Sequence, residues 1–458
     1  MQQQNNSSKK LLAVMVALLV MVSAAMAQTS SINAFSPYSM YGIGEINTPG
    51  TLASRSMGGV GVAARQTGMV NLLNPAGFSL VTRKSFLLNV GMEGQNYYNK
   101  QTVEGVDKKS AHNSFNIREF ALLMPLSKGL GLGFSVTPYS SVGYRMMYDH
   151  FYDATDPVWG NVGRVNYSYQ GEGDVTEVKI GLGYEVVKNL SIGVAMQYYW
   201  GDIDRMFVMT PVSITGSGSY GKVSGNSEYA ISNIKAQFGV QWNALLTQKR
   251  ILTVGAVYSL GGDLNPDITS TITGGDLYET PVTADDNHLG IALPEEISIG
   301  AFYQTAKWSV GVDYTFRGWE NNKQREQTGV SSDRTSMAVA YTDTHTIKAG
   351  VEFVPARYDT RHFLKRISCR VGARYGSQNQ TFNGQQLDEY AVTAGLGIPL
   401  RFLGISAIDL GVEYGGRGFN VKKSSGLVRQ DYFKFAVGFK LFAGAENHEY
   451  WFLRPKYD

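Results

Sequence analysis

Six histidines (His112, His150, His288, His345, His362 and His448) and one cysteine, Cys369, are the residues of this sequence best suited to proton transfer, metal binding or nucleophilic attack. Two of the histidines follow an aspartate by two positions, Asp286 before His288 and Asp343 before His345. Such a pair can orient an imidazole and activate water. No Gly-x-Ser-x-Gly nucleophile turn accompanies them, and solvated loops carry the same residues. A single cysteine forms neither an internal disulfide nor a multi-cysteine metal site. Asp263, Asn265 and Asp267 begin like a calcium loop, but Ile268 replaces the required glycine and Gly274 the closing glutamate, so a polar loop is the better reading. Gly59-Val60-Gly61-Val62-Ala63-Ala64 has dinucleotide-turn spacing without the preceding strand or βαβ unit that such a site needs. The reading is a non-enzyme with no cofactor and no metal.

The remaining chemistry lies in charged residues spaced two apart, and that spacing points to the elements that carry them. Trp308, Val310, Val312, Tyr314 and Phe316 alternate with Ser309, Gly311, Asp313, Thr315 and Arg317. The same pattern runs through 177–186, 367–375 and 433–441. Side chains of a strand point alternately to its two faces, so each strand has one apolar face and one polar or very small one. The runs last about 10–14 residues, the length of a tilted membrane strand rather than a soluble one. Strands are expected at 84–97, 114–126, 130–144, 174–187, 190–201, 228–242, 250–260, 293–304, 307–317, 343–354, 366–377, 388–399, 406–417 and 430–442. A further candidate, 162–170, is assigned to a loop or to an extension of the next strand. Counting it as a crossing would reverse the sidedness of the tight turns at 127–129, 187–189, 305–307 and 402–404. The expectation is all-β: a 14-stranded antiparallel transmembrane barrel with short turns and both ends periplasmic. Long connections such as 98–113, 145–173, 202–227 and 261–292 become external loops.

With the apolar face outward, Glu93, Glu177, Lys179, Glu185, Lys235, Asp313, Lys348, Glu352, Arg370, Arg374, Asp409, Glu413 and Lys434 point into the lumen. Both signs occur, so they are expected to pair with one another and with whatever fills the lumen. Inward glycines such as Gly133, Gly181, Gly255, Gly300, Gly372 and Gly395 leave it room. Cys369 shares the parity of Ile367 and Val371 and is expected to face lipid.

Composition agrees. Glycine is 52 of 458 residues, against about 7% in average proteins, and charged residues are 17%, below the usual ~25%. Lys9 and Lys10, the apolar run Leu11 to Val22 and Ala25-Met26-Ala27 read as a signal peptide, residues 1–27, cleaved after Ala27. Its removal takes the formal charge from +3 to +1, which argues against a nucleic-acid partner. Past residue 27 no run approaches 18 apolar residues, which excludes a helical membrane protein. Residues 28–83 carry Gly42, Gly44, Gly50, Gly58, Gly59, Gly61 and Gly68 among short apolar fragments and read as a hatch. The barrel is expected over 84–442 and a periplasmic tail over 443–458.

Ser56-Met57-Gly58-Gly59-Val60-Gly61-Val62-Ala63, followed by Asn71-Leu72-Leu73-Asn74-Pro75-Ala76-Gly77, resembles the hatch of the FadL/TodX family of outer-membrane transport barrels. In that family a G-G-x-G-x-A run precedes an N-P-A-G element and a 14-stranded wall. The motifs span about 25 residues. Gly58, Gly59, Gly61, Asn74, Pro75, Ala76 and Gly77 are the positions that match. The resemblance implies an outer-membrane channel, in contact with lipid, that takes up hydrophobic small molecules (long-chain fatty acids or similar) through a plugged barrel, often sideways. Relatives with the same hatch are instead non-conducting subunits of outer-membrane secretion or assembly complexes, and the tail of this chain would then meet protein partners. The third strand of FadL-like barrels carries a kink that opens the wall, and Pro138 falls in the equivalent strand here. Ser135, Thr137, Pro138 and Tyr139 are thus the candidate lateral opening, with the Asn74–Gly77 element pressing on the gap. A plain rim bulge at the proline is the other reading.

Overall fold

The computed structural model describes residues 35–443 apart from 67, 82–85, 104, 154, 156–161, 214–219, 265, 275–276, 283–291, 320–326, 329–337, 358, 360, 401–405 and 421–426. The stretch read as a signal peptide, the Asp286–His288 pair, Asn265 and nearly all of the expected tail lie outside the described residues.

Fourteen antiparallel strands form a closed wall: β1 Phe86–Val103, β2 Val106–Ser127, β3 Leu130–Phe151, β4 Arg164–Val187, β5 Leu190–Val212, β6 Val223–Leu246, β7 Arg250–Ser259, β8 Glu295–Thr305, β9 Trp308–Gly318, β10 Thr344–Phe353, β11 Ser368–Phe382, β12 Gln385–Pro399, β13 Ala407–Arg417 and β14 Arg429–Ala443. Each pairs with its neighbours, and β14 returns to β1 from Phe86↔Ala443 to Lys100↔Arg429. Closure removes the free edges that hydrocarbon cannot satisfy. Alternation sorts the faces as the sequence implies. On β4, Glu177 and Lys179 are buried while Ile180, Leu182 and Tyr184 are exposed. Cys369 is a free, exposed thiol on the outer face.

The strands on one side outrun their expected limits. Expected loops 98–113 and 145–173 are largely ladder, which continues to Val103↔Val106 and to Phe151↔Arg164. The candidate at 162–170 belongs to β4 as its extension. Period 2 fades there because both faces meet protein or water, whereas backbone pairing continues. A hairpin within 261–292, Asp267–Gly274 with Leu277–Val282, adds to the upper edge of β6.

A belt of glycines runs across the wall in register. Gly133 faces Gly181, Gly183 faces Gly193, and Gly193 faces Gly239. Gly300 faces Gly255, Gly350 lies between Gly311 and Gly372, and Gly395 faces Gly411. A Cβ on almost any of them would collide with residues 52–79. At Gly193 it would stand 2.3 Å from the Ala76 nitrogen, at Gly372 2.1 Å from the Met57 carbonyl carbon, and at Gly255 2.5 Å from the Val62 oxygen.

Candidate functional site at the wall seam and lumen

The residues that precede the wall are shaped for close packing. Gly58 and Gly59 sit at φ +72° and +84°, a region open chiefly to glycine. Gly58 donates its N–H to Thr393 Oγ1 at 2.9 Å, and Gly61 and Val62 donate theirs to Asp313 Oδ2 at 2.6 and 2.9 Å. Asn71 Nδ2 donates to the carbonyls of Gly61 and Ala64 at 2.7 and 2.9 Å, tying the glycine run to the second motif. Asn74 caps the short helix Pro75–Leu80 by accepting from Ala76 N. Its amide donates to Val62 O at 2.8 Å and to the wall carbonyls of Val240 at 3.1 Å and Ala256 at 3.4 Å. Pro75, Ala76 and Gly77 are buried, and Phe78 covers Gly131 and Gly133. Gly58, Gly61 and Asn74 thus bond this segment to the wall, Pro75 and Ala76 pack on wall glycines, and Gly59 and Gly77 bond within the segment. The expectation that Asn74–Gly77 presses on an opening at Pro138 is corrected: the element lies on Gly183, Gly193 and Gly239 of β4, β5 and β6, because its proline and alanine fit only where a strand has no side chain.

Residues 35–47 lie at the parted stretch of wall. The β2–β3 ladder runs only from Ser127↔Leu130 to Phe120↔Val136. Beyond Val136 no described pair joins the two strands. On its other edge β3 stays bonded to β4, with a register shift between Pro138 and Ser140 that makes Tyr139 the extra residue. The freed edge of β3 is occupied by a strap. Asn47 N donates to Tyr139 O at 2.8 Å, Glu45 and Ile46 pair with Ser141 and Ser140, and Ser36 N donates to Gly143 O at 2.9 Å. Gly44, at φ +85°, touches β3 so closely that a Cβ would stand 2.5 Å from Ser141 O. The strap also reaches across the lumen: Glu45 Oε1 meets Arg417 Nη2 at 2.5 Å, Gln430 donates to Phe35 O at 2.9 Å, and Tyr38 and Tyr41 pack on Phe382. Its Met40 and Ile43 enter an aromatic cluster with Tyr144, Tyr199 and Tyr229.

Of the four candidate opening residues, Ser135 lies within the closed ladder opposite Ala121, and Thr137, Pro138 and Tyr139 lie beyond its end. Tyr139 stacks edge-on against Tyr199 at 4.9 Å. Two polar cavities flank residues 46–49, where the strap ends. One is lined by Thr137, Pro138, Tyr139, Lys179 and Lys235, the other by Thr344, Thr346, Arg374 and Gln378. Arg317 and Lys348 line both.

The inward charges form networks. Glu93 bonds Arg55 and lies 3.4 Å from Arg118, and Arg55 reaches Glu119 at 3.3 Å. Arg374 holds Glu413 at 2.6 Å and Glu389 at 3.3 Å, and Arg417 joins Glu389 at 3.0 Å. Arg370 holds Asp409 at 2.6 Å and Arg317 holds Glu296 at 2.6 Å. Buried charges need such partners. His345 has no part in this; it is exposed and shares a 2.7 Å hydrogen bond with Tyr314. Among the described residues no group of three His, Cys, Asp or Glu is placed to hold a metal.

A family model described as BamG matches residues 8–458. The chain belongs to the BamG family. Its fold is the FadL-type outer-membrane barrel. The monoaromatic hydrocarbon channel CymD superposes with a TM-score of 0.56 at 15% identity, over 86% of this chain and 98% of that one. The Ralstonia pickettii toluene transporter TbuX gives 0.54 at 15%, over 86% and 99%. A Pseudomonas aeruginosa FadL homologue gives 0.56 at 12%, over 88% and 99%. These neighbours are channels and transporters, not enzymes. No curated protein matches the sequence.

Parity reasoning on this BamG-family chain missed several residues of the lumen. Arg118 and Glu119 are adjacent and both buried, which strict alternation forbids. A register shift in the β1–β2 ladder, where Gly91↔Glu119 is followed by Met92↔Ile117, leaves Arg118 unpaired in the ladder and turns it inward. Arg417, Glu389, Glu296 and Arg317 fell at strand ends. The strap carries no motif beyond Gly42 and Gly44.

Proposed function

We propose that this BamG-family barrel passes hydrophobic small molecules sideways through its wall, between β2 and β3, with residues 35–47 closing the route at rest. The observation that carries this reading is the ladder that ends at Phe120↔Val136, two residues before Pro138, with the freed strand edge held by a strap instead of by β2. Proline removes a ladder N–H and favours a bulge at that point. The channel and transporter descriptions of the structural neighbours support the same reading; whether the passenger is a long-chain fatty acid or another apolar molecule is a matter for uptake assays. Pro138→Val restores the N–H and should let the ladder extend. Expected is an assembled barrel that has lost most of its uptake of an apolar solute into proteoliposomes. Unchanged uptake by an assembled variant would reject the sideways route.

A second reading, a non-conducting barrel subunit of an outer-membrane secretion or assembly complex, is favoured by the densely ion-paired lumen. Purification in mild detergent separates the two: stoichiometric protein partners and no transport activity would select the subunit.

A further inference from the structure

Two buried lysines stand out from the paired charges around them. Lys235 and Lys348 are 7% and 6% exposed, and both line the cavity behind Pro138. Neither has a carboxylate oxygen within ion-pair distance among the described residues. Among the described residues Lys235 Nζ donates only to Pro294 O, at 3.1 Å. Lys348 extends its aliphatic stem past Gly59 and makes no hydrogen bond to a described residue.

Glu177 and Glu296 are already engaged, and Asp313 is engaged through one of its two oxygens. Glu177 receives Lys179 at 3.2 Å, Gln197 at 2.8 Å and the Tyr199 hydroxyl at 2.9 Å. Glu296 is held by Arg317 at 2.6 Å, and the Asp313 carboxylate, across the ladder from Lys348, is turned to the N–H groups of Gly61 and Val62. The cavity thus keeps two buried lysine side chains that make no ion pair with any described residue, in a setting where a charge held at a distance from its partners is costly.

We infer that this cavity binds a phosphate-type oxyanion, with Lys235 and Lys348 as its ligands and Arg317 beside them. Cations arriving from β6, β9 and β10 suit a compact, multiply charged tetrahedral anion better than a planar carboxylate, which one arginine satisfies with two parallel bonds. The chemistry has two sources: free phosphate, or the phosphate of a lipid whose tails leave by the neighbouring seam at Thr137 to Tyr139. The site does not depend on transport through the wall.

The full-length barrel, purified in a phosphate-free detergent, is titrated calorimetrically with inorganic phosphate and, separately, with short-chain phosphatidylglycerol. Expected is binding of at least one, weakened by about tenfold or more (1.4 kcal/mol per decade) in the Lys235→Gln, Lys348→Gln double variant and retained when both lysines become arginine. Phosphate binding identifies a free anion; binding of the lipid alone identifies a headgroup. Binding of neither, or binding undiminished by the glutamine pair, overturns the inference. Heat-dependent gel mobility reports assembly. If the double variant does not assemble, the single variants, each keeping one ammonium, are read by the same criterion.

Discussion

The two halves of β3 present the same edge to different neighbours. From Leu130 to Val136 the edge is bonded to β2 through a hairpin that turns at Lys128 and Gly129. From Tyr139 to Gly143 it is bonded to a strap whose residues lie about a hundred positions earlier, as between Ser39 and Gly143, 104 apart. The hairpin closes a very short loop and forms locally. The strap depends on a remote segment, on Gly44 fitting against Ser141 O, and on the Glu45–Arg417 pair at its far side. The lower half of the edge is therefore wall bonded to wall, while the upper half is closed by a segment that is not one of the wall strands.

The strongest way to test that contrast is to make the upper closure permanent. Ile46 and Ser140 are cross-strand partners. Cysteines at both positions, in a Cys369→Ala background, should abolish uptake when oxidised and restore it on reduction, measured in proteoliposomes. Transport that ignores the redox state would mean that the strap does not gate it. Gly44→Ala works in the opposite direction. A non-glycine residue at φ +85° with a Cβ 2.5 Å from a carbonyl oxygen is strained, which should weaken the strap by about 1–3 kcal/mol. Hydrogen exchange should then quicken at Tyr139–Gly143 and stay slow at Leu130–Val136; equal acceleration in both halves would contradict the contrast. The smallest effect belongs to the rim away from the seam. Asp359 accepts from the backbone N–H of His362 and of Arg361 and lies beside the His362 ring, which holds its carboxyl at about 2, below its ordinary 3.8. A lowered carboxylate pKa stabilises the folded form above the unfolded value, and that contribution is lost as pH falls from near 4 through 2. Asp359→Asn should remove a small part of the acid sensitivity of the melting temperature and leave uptake unaltered.

Much of this was legible in the sequence, and the gaps have physical causes. Alternation gave fourteen crossings because lipid and lumen impose opposite polarity on successive residues. Gly58, Gly59, Gly61 and Asn74 were legible through the resemblance to the FadL/TodX hatch, and the positive φ of Gly58 and Gly59 gives a physical reason for glycine at those two. Pro138 was legible because it lacks a donor. Arg118 was not, since a bulge inverts parity without leaving a composition signal. The upper ladders of β1 to β6 were read as loops because strands that leave the bilayer lose their one-sided polarity. The strap was hidden for another reason: its contacts are backbone pairings with a distant edge, and almost any side chain permits those.

The seam between β14 and β1 has a consequence for biogenesis. It joins the first and last strands of the wall, from Phe86↔Ala443 to Lys100↔Arg429, so the cylinder stays an open sheet until the final strand has been delivered. Non-local pairing of this kind is slow. Until it closes, the sheet carries two free strand edges, the feature most open to stray strand pairing.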